Sequence, residues 1–559
     1  MFRNAVTAAV LASGMLLATE AVAGNTIFLG GAIYTLNDRQ PWASALVVAD
    51  GRIAYVGDDR GAAHYVAKAS RIIRLEGRMM LPGFHDAHAH PMSAGLRLLR
   101  CQLDSLKAAP QVEAAIRKCD GDVKEDWLFA NGWSAKLSPP SLAKLDALVP
   151  DRPAYIANED GFAVWVNSRT LRASGIDPAS SKISGLERDP QTHEFTGVVT
   201  GDALNLVRQF RPKPSEVQFR EAFKRWSALA NANGITSVFD AAASPPMVDA
   251  YHAADLAREL KLRVVAAQLA DPARGPEQVD DMVARRARVQ GARFHADAAK
   301  IFLDGEISQH TAALLQPYAD APDTRGDLLI QPDALNALVK RLDAEGFLIH
   351  MHAMGDRAVR SGLDAIERAM TANGAKDRRD QIAHIELADP ADIPRFAALG
   401  ISANLSPGWF DPDDPEIASA ETALGPDRAS RMYPAATLAA HGARLVMSSD
   451  WPATAMNPPE NIQIAVTRQP LDGSKPPKRP EERIDLAAAL KAYVRSAAWV
   501  VREDATDGSL ETGKAADLIV LDRNLFRIPA RDLHNARVLL TLLDGESVYR
   551  DGKFAGLFH

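Results

Sequence analysis

The stretch Gly83-Phe84-His85-Asp86-Ala87-His88-Ala89-His90 carries the strongest local signal in this chain of 559 residues. Side chains alternate along an extended strand, so His88 and His90 point to the same side and can hold one cation. His85 has the opposite parity, and we expect it to point elsewhere. An isolated His-x-His pair also occurs in purely structural roles, so metal binding needs support from residues elsewhere in the chain.

Outward from this stretch, the chain alternates apolar, strand-like runs with amphipathic helical patterns. Such alternation is typical of parallel β/α units, and eight of them close a barrel whose active site lies at the carboxyl ends of the strands. We therefore predict an α/β fold with a distorted (β/α)8 TIM-like barrel over residues 83–504, interrupted by a cap insertion at about residues 99–214. The strand candidates are Tyr155-Ile156, Ser237 to Phe239, Leu262 to Ala267, Ala298 to Leu303, Leu348 to His352, Gln381 to His384, Ile401 to Ala403 and Leu445 to Ser448. Helical patterns include Ser215 to Asn231, Pro332 to Glu345 and Asp356 to Ala372.

Both ends of the chain carry short β-type runs separated by turns. The N-terminal runs are Thr26 to Leu29, Ala45 to Val48, Ile53 to Val56 and Ile72 to Leu75, and the C-terminal runs are Asp517 to Leu521, Ala536 to Leu542 and Ser547 to Tyr549. We predict that residues 24–82 and 505–559 together build one small composite β-sandwich domain.

Polar side chains recur where the predicted barrel strands end. His352, His384 and Asp450 each lie at or just after such an end, and Lys300 lies inside an apolar run. An unpaired ammonium group there would be costly. Each residue alone has an ordinary explanation: a hydrogen-bonded core histidine, a helix-capping aspartate or a salt-bridged lysine. Together with His88 and His90, they indicate a metal site at one end of the barrel.

These residues give the chain a resemblance to the amidohydrolase superfamily of metal-dependent hydrolases. Within it, the chain is most similar to the "amidohydrolase 3" branch that includes N-substituted formamide deformylases. The matching phrases are LPGFHDAHAHP (81–91), WVNS (165–168), KIFLDG (300–305), TAALLQPY (311–318), HAMGDRAV (352–359), SSDWP (448–452) and GSLETGKAADLIVLD (508–522).

The resemblance implies a ligand set for two divalent metal ions. His88 and His90 would hold the more buried ion, with Asp450 as a further ligand. His352 and His384 would bind the second ion, and Lys300 would be carboxylated by CO2, so that its carbamate bridges the two ions. Zinc is the default for imidazole and oxygen ligands, with manganese and iron open. Asp450 would also be the catalytic general base, taking a proton from metal-activated water and passing it to the leaving amine.

The residues that contact substrate are marked less clearly. His350 shares the strand parity of His352, which favours a position facing the barrel beside the metal or the substrate; a structural role is equally open. His310 and Phe162 stand where relatives often carry other residues, in DGEISQHTAAL and after Asp160-Gly161. Tentative pocket residues are therefore His350, His310, Trp133, Phe162, Trp165 and Trp409, and for each of the aromatic residues ordinary core packing is the alternative.

The predicted reaction is hydrolysis of a non-peptide carbon–nitrogen (amide) bond in a small organic substrate. One alternative is hydrolysis of a lactone, carbamate or cyclic imide at the same site. An alternative of another class is a regulatory protein that keeps the fold without turnover. Retention of all six ligand positions favours the enzyme, because a scaffold without turnover has no physical need for them.

The first 23 residues predict export. Arg3 precedes an apolar run from Ala5 to Ala18, and the small-residue triplet Ala21-Val22-Ala23 ends a typical signal peptide. The run is shorter than the about 20 residues of a membrane span, so we expect a periplasmic or secreted protein with no membrane span after cleavage. In that compartment Cys101 and Cys119 could form a disulfide, or they remain two free buried thiols.

Composition and charge limit the partners. The net charge is −7, from 64 Lys and Arg against 71 Asp and Glu, which argues against nucleic acid and anionic membranes as partners. The chain shows no Gly-rich phosphate loop or dinucleotide fingerprint. We therefore expect a small-molecule substrate, and a homodimer is the default oligomer.

Overall fold

The structure is a computed structural model that describes residues 25–104, 106–122, 125–158, 163–179, 181–552 and 554. The predicted signal peptide and Phe162 lie outside the described residues.

A parallel sheet of eight strands forms the centre of the protein. Its strands follow one another in chain order around the sheet. They are β1 (Phe84–Ala89), β2 (Ile235–Ala243), β3 (Arg263–Leu269), β4 (Phe294–Phe302), β5 (Leu348–Ala353), β6 (Gln381–His384), β7 (Ser402–Leu405) and β8 (Arg444–Met447). The first and last strands meet at their carboxyl ends, where Asp450 N donates to His88 O at 2.7 Å and His90 N donates to Trp451 O at 2.8 Å. The predicted TIM-like barrel is confirmed as a nearly closed barrel.

Amphipathic helices follow the strands and cover the outside of the barrel. The helix Asp356–Asn373 buries Val359, Leu363 and Ile366, which lie on one face because they are three or four residues apart. The other helices in the barrel region are Pro91–Leu98, Glu216–Ala232, Pro245–Leu256, Gln278–Arg288, Pro332–Ala344, Ile393–Leu399, Pro415–Leu424, Pro426–Ala429, Ala435–Ala440, Pro458–Thr467, Leu486–Lys491 and Ala497–Val500. The three helical patterns named from the sequence are all helices, within one residue at each end.

One predicted strand belongs to a different sheet. Tyr155-Ile156 lies in Ala154–Asn158, which pairs with Leu128–Trp133 in the cap and not with the barrel. The cap sheet has the strand order Leu186–Arg188, Phe195–Val199, Val164–Val166, Ala154–Asn158, Leu128–Trp133, Cys101–Gln102. Its helices are Ala109–Asp122, Leu142–Leu148, Ser168–Ala173 and Gly201–Phe210. Cys101 and Cys119 form a disulfide that joins the edge of this sheet to the first of those helices.

Both ends of the chain contribute strands to one further sheet. Met79–Pro82, from the N-terminal part, pairs antiparallel with Leu518–Leu521, from the C-terminal part. The sheet has the order Glu546–Arg550, Val538–Leu543, Leu518–Leu521, Met79–Pro82, Ala32–Tyr34, Trp42–Ala43. A second sheet, with the order Arg52–Gly57, Ala45–Ala49, Asn25–Leu29, Ala69–Arg74, shares an apolar core with it that includes Phe28, Leu46, Met80 and Val520.

A single glycine connects this sheet to the barrel. Gly83 separates Met79–Pro82 from β1, and its N–H donates to Asp517 O at 3.0 Å. A Cβ atom at Gly83 would lie 2.1 Å from Thr236 Oγ1 of β2, so no larger residue fits without a shift. The start of β1 is therefore fixed by the terminal strands.

In the described part of the chain, no helix has both the length and the apolar character needed to cross a membrane.

Candidate metal centre

The carboxyl ends of β1 and β8 bring three of the predicted ligands together. One potential ligand atom from each of His88, His90 and Asp450 lies within 4.8 Å of the others. Asp450 Oδ1 lies 3.4 Å from Nε2 of His88 and 3.4 Å from Nε2 of His90. His88 and Asp450 are buried, and His90 is partly exposed. The spacing places one carboxylate oxygen between two imidazoles that face the same point.

The ends of β5 and β6 add two more imidazoles beside this group. The ring centroids of His352 and His384 are 4.6 Å apart, and those of His384 and His88 are 4.8 Å apart. His384 Nδ1 lies 3.8 Å from Asp450 Oδ2. Asp450 therefore has one carboxylate oxygen towards β1 and the other towards β6.

Lys300 lies deeper in the barrel, on β4. Its side chain is fully buried, and its Nζ lies 4.5 Å from the centre of the Phe302 ring. Burial lowers the pKa of Lys300 to about 7, although the negative charges of Asp450 and Asp240 partly oppose this shift. A substantial fraction of the amine is therefore neutral near neutral pH.

The chemistry of the donor atoms fits a divalent metal ion. Nε2 of His88, Nδ1 of His352, Nδ1 of His384 and Nζ of Lys300 are buried and have no hydrogen-bond partner among the described residues. Several unpaired buried nitrogens in one place are costly unless something binds them. Burial and the positive charges of neighbours, Lys300 included, keep the pKa of His88 and of His384 well below 6.5, which leaves neutral imidazoles. Neutral imidazole is the form that binds metals.

Asp450 combines a strained backbone with a strongly ionised carboxyl group. Its φ of 56° lies in the left-handed region, as does the φ of 76° at His384, and non-glycine residues rarely adopt this conformation. Burial would raise the pKa of Asp450, but the hydrogen bonds from His90 and Trp409 and the nearby His384 outweigh it and lower the pKa to about 2. Trp409 Nε1 donates to Asp450 Oδ2 at 3.0 Å. These contacts hold an ionised carboxylate in one orientation.

Two aspartates that sequence reasoning did not single out support the site. Asp304 accepts backbone N–H groups from Ala313, Met354 and Gly355 at 2.9 to 3.0 Å, and its Oδ1 lies 3.3 Å from His352 Nδ1. Asp86 accepts the N–H of Ser449 at 2.9 Å and also its hydroxyl. Asp304 lies just after β4 in the KIFLDG phrase, a position that could have marked it. Asp86 lies in the strand that carries His88 and shares the parity of that residue, which could have marked it.

The predicted pocket residues separate into two groups. Trp409 and His350 lie at the site, against Asp450 and His88 respectively. Trp133 and Trp165 are not brought to the metal centre: both are buried in the core of the cap, the alternative that the sequence left open, where their indole nitrogens donate to Ser138 O and Ser141 O. They pack there because a six-stranded sheet needs large apolar side chains on its covered face. His310 bonds Asp320 at 2.8 Å and packs on Tyr318.

His85 points away from the metal centre, as its parity indicates. Its Nε2 lies 2.9 Å from Asp507 Oδ2, and its Nδ1 lies 4.0 Å from Glu503 Oε2. Burial opposes protonation of His85, but the charge of Asp507 and the hydrogen bond to it raise the pKa of His85 above 6.5. This group ties the amino end of β1 to the segment before the terminal strands.

Comparison with known proteins places this geometry among the amidohydrolases. The profile of a family described as "Amidohydrolase family" matches residues 71–549. The chain is 29% identical to the putative amidohydrolase YtcJ of Bacillus subtilis, over 94% of this chain and 99% of that protein. It is 25% identical to an N-substituted formamide deformylase of Arthrobacter pascens, over 92% and 96%. A crystal structure of an uncharacterized metal-dependent hydrolase from Pyrococcus furiosus superimposes with a TM-score of 0.74 at 25% identity, covering 89% of this chain and 99% of that one.

Proposed function

The chain belongs to the amidohydrolase family, and from this we propose that it hydrolyses a non-peptide carbon–nitrogen bond of a small organic molecule. The observation that carries the proposal is Asp450, an ionised carboxylate that lies 3.4 Å from two imidazoles while its second oxygen accepts the indole N–H of Trp409. The relative named as a formamide deformylase supports an amide as the bond that is cleaved.

Six residues are proposed to hold two divalent metal ions, most simply zinc. His88, His90 and Asp450 would hold one ion, His352 and His384 would hold the second, and a carboxylated Lys300 would supply carbamate oxygens as further ligands. The unpaired nitrogens of these side chains support this assignment. When bound, the metal ions supply Lewis acidity, which polarises a carbonyl group and makes water a stronger nucleophile.

Lys300 suits carboxylation because its amine is buried, unpaired and partly neutral. A neutral amine reacts with CO2 to form a carbamate and releases one proton. The carbamate replaces a buried cation without a partner by an anion, which removes the desolvation cost of the lysine.

Asp450 is proposed to move the proton in the reaction. It is ionised at neutral pH, and in this role it would take a proton from the attacking water and deliver that proton to the leaving amine. Trp409 holds the carboxylate so that one oxygen stays between His88 and His90.

We also propose that the protein is exported to the periplasm or secreted. The Cys101–Cys119 disulfide supports this location, because disulfides persist mainly in oxidising compartments. Fractionation of cells that produce the full chain tests it: a processed protein that begins at Gly24 outside the cytoplasm is expected, and an unprocessed cytoplasmic protein would overturn this part.

The reaction is tested by metal analysis together with a substrate screen. We expect about two metal ions per chain, loss of activity with a chelator, and turnover of amides with release of an amine. Lactones, carbamates and cyclic imides form the comparison panel. Turnover confined to lactones would overturn the proposed bond, and a metal-free chain without turnover on the panel would overturn the enzyme itself.

A further inference from the structure

His350 lies directly behind His88, on the side away from Asp450. His350 Nε2 is 2.9 Å from His88 Nδ1, and both side chains are fully buried. The two rings meet edge to face, with centroids 4.7 Å apart. Phe239 packs against the other side of the His350 ring at 4.9 Å and limits its rotation. The hydrogen bond between these two residues therefore links β5 to β1 inside the barrel.

A bond between two neutral imidazoles has a direction. A neutral ring carries one N–H, so one of the two rings donates and the other accepts. Both rings are fully buried, and an imidazole that binds a metal ion does so in its neutral form. The proton of His88 therefore lies either on Nδ1, towards His350, or on Nε2, towards Asp450.

Only one of these two arrangements leaves His88 able to bind a metal ion. His88 Nε2 faces Asp450 Oδ1 at 3.4 Å and has no hydrogen-bond partner in the described chain. To bind a metal, Nε2 must present a lone pair, so the proton must be on Nδ1 and must be donated to His350. If the proton is on Nε2 instead, this nitrogen has no free lone pair and cannot bind a metal ion.

We infer that His350 is a positioning residue for His88: it accepts the Nδ1–H and fixes the form of the ring whose Nε2 is free for the metal. Ligating histidines usually donate their second N–H to a carboxylate or a carbonyl oxygen. In this protein the neutral imidazole of His350 accepts that N–H in place of an oxygen atom. The proton of His350 itself is then on Nδ1, which is buried without a partner among the described residues. The inference rests on the proposed metal site.

The substitution His350→Phe tests this role, because it keeps a ring of similar size and removes the acceptor. His88 Nδ1–H then lies buried without a partner, and the ring is no longer held in the metal-binding form. We expect zinc affinity at the tighter site to fall about 10- to 100-fold, the usual effect of losing a partner of a ligating histidine. His350→Gln, whose side-chain oxygen can accept the same proton, is expected to recover part of the affinity.

The measurement is a zinc titration of chelator-stripped full-length protein against a coloured competing chelator, with no substrate present. His534→Gln is the matched control: it removes a partly buried histidine whose ring bonds Gln463 and not the metal centre. It is expected to keep the zinc affinity of the unchanged protein.

The outcomes separate this inference from the proposed function. Unchanged zinc affinity in His350→Phe would overturn the role of His350 and leave the metal site in place. Equal losses in His350→Phe and His534→Gln would also overturn it, because they would show a general packing effect. An unsubstituted protein that binds no zinc, manganese or iron would instead overturn the proposed metal site.

Discussion

The backbone N–H of Asp450 donates to the carbonyl of His88 at 2.7 Å, while the carboxylate of Asp450 lies 3.4 Å from the imidazole of the same histidine. One pair of residues therefore both connects the last barrel strand to the first and sets the distance between two candidate ligands. Asp450 has a φ of 56°, in the left-handed region, at this junction. The contact that closes the barrel therefore also brings these two candidate ligands together.

Replacing Asp450 with Asn should abolish turnover and leave most of the metal bound. The amide keeps a side-chain oxygen near His88 and His90 but cannot take a proton, and loss of a general base typically lowers kcat by about 100- to 10,000-fold. Steady-state kinetics with metal analysis on the same samples checks this. Asp472→Asn, at an exposed loop position, is the control and should retain full kcat. An unchanged kcat in Asp450→Asn would remove the proposed role.

Trp409→Phe tests whether the indole N–H orients the carboxylate. The substitution keeps an aromatic ring and removes the donor to Asp450 Oδ2. A hydrogen bond to a charged group contributes about 1.5 to 3 kcal/mol, so we expect kcat to fall about 10- to 100-fold.

Trp133→Phe is the matched comparison for Trp409. Its indole also donates a hydrogen bond, to Ser138 O in the cap core. It should lower thermal stability and leave kcat unchanged. If Trp133→Phe lowered kcat as much as Trp409→Phe, the pocket role predicted for Trp133 from the sequence would have to be restored.

The bond between His85 and Asp507 should make stability depend on pH. The folded state raises the pKa of His85 above its unfolded value of about 6.5. Its contribution is therefore fully present below about pH 6.5 and is lost as pH rises through the folded pKa. Urea unfolding of the unchanged protein and of His85→Gln at several pH values measures it. The stability difference between the two should be largest at pH 6 and should shrink towards pH 9; a constant difference would contradict the assignment.

Loss of the disulfide should weaken the cap without disturbing the metal centre. The bond closes a segment with a sequence separation of 18, for which the entropy of the unfolded chain predicts about 3 kcal/mol of stabilisation. Cys101→Ser with Cys119→Ser should lower the unfolding midpoint, and the metal content per folded chain should stay the same. Metal loss in the folded double variant would show that the cap and the centre are coupled.

Local patterns predicted the barrel well because its strands are short apolar runs between amphipathic helices. β5 and β6 were located almost to the residue: every residue of both strands is buried, and the apolar residues Leu348, Ile349 and Ile382 mark them in the sequence. Tyr155-Ile156 carries the same local signal, and nothing in it shows which sheet the strand will join. Partner choice depends on the whole chain, so this strand could be identified but not placed.

The candidate ligands could be proposed because metal-binding side chains recur at strand ends. No comparable sequence pattern shows whether a tryptophan side chain lies in a core or at a site. Trp165 and Trp409 look equivalent in sequence, yet one fills the cap core and the other contacts Asp450. Asp86 was missed for a similar reason, since its partner Ser449 lies 363 residues away in the chain.

The single-residue link at Gly83 has a consequence for how the protein is made. The strand before it, Met79–Pro82, pairs with Ala32–Tyr34, but its second partner, Leu518–Leu521, is synthesised much later, and β1 gains its β8 neighbour late as well. The first two histidines of the site therefore leave the ribosome long before the neighbours that fix their strand. Until then one edge of β1 stays unpaired, and Asp450 joins these two histidines only when most of the polypeptide has emerged.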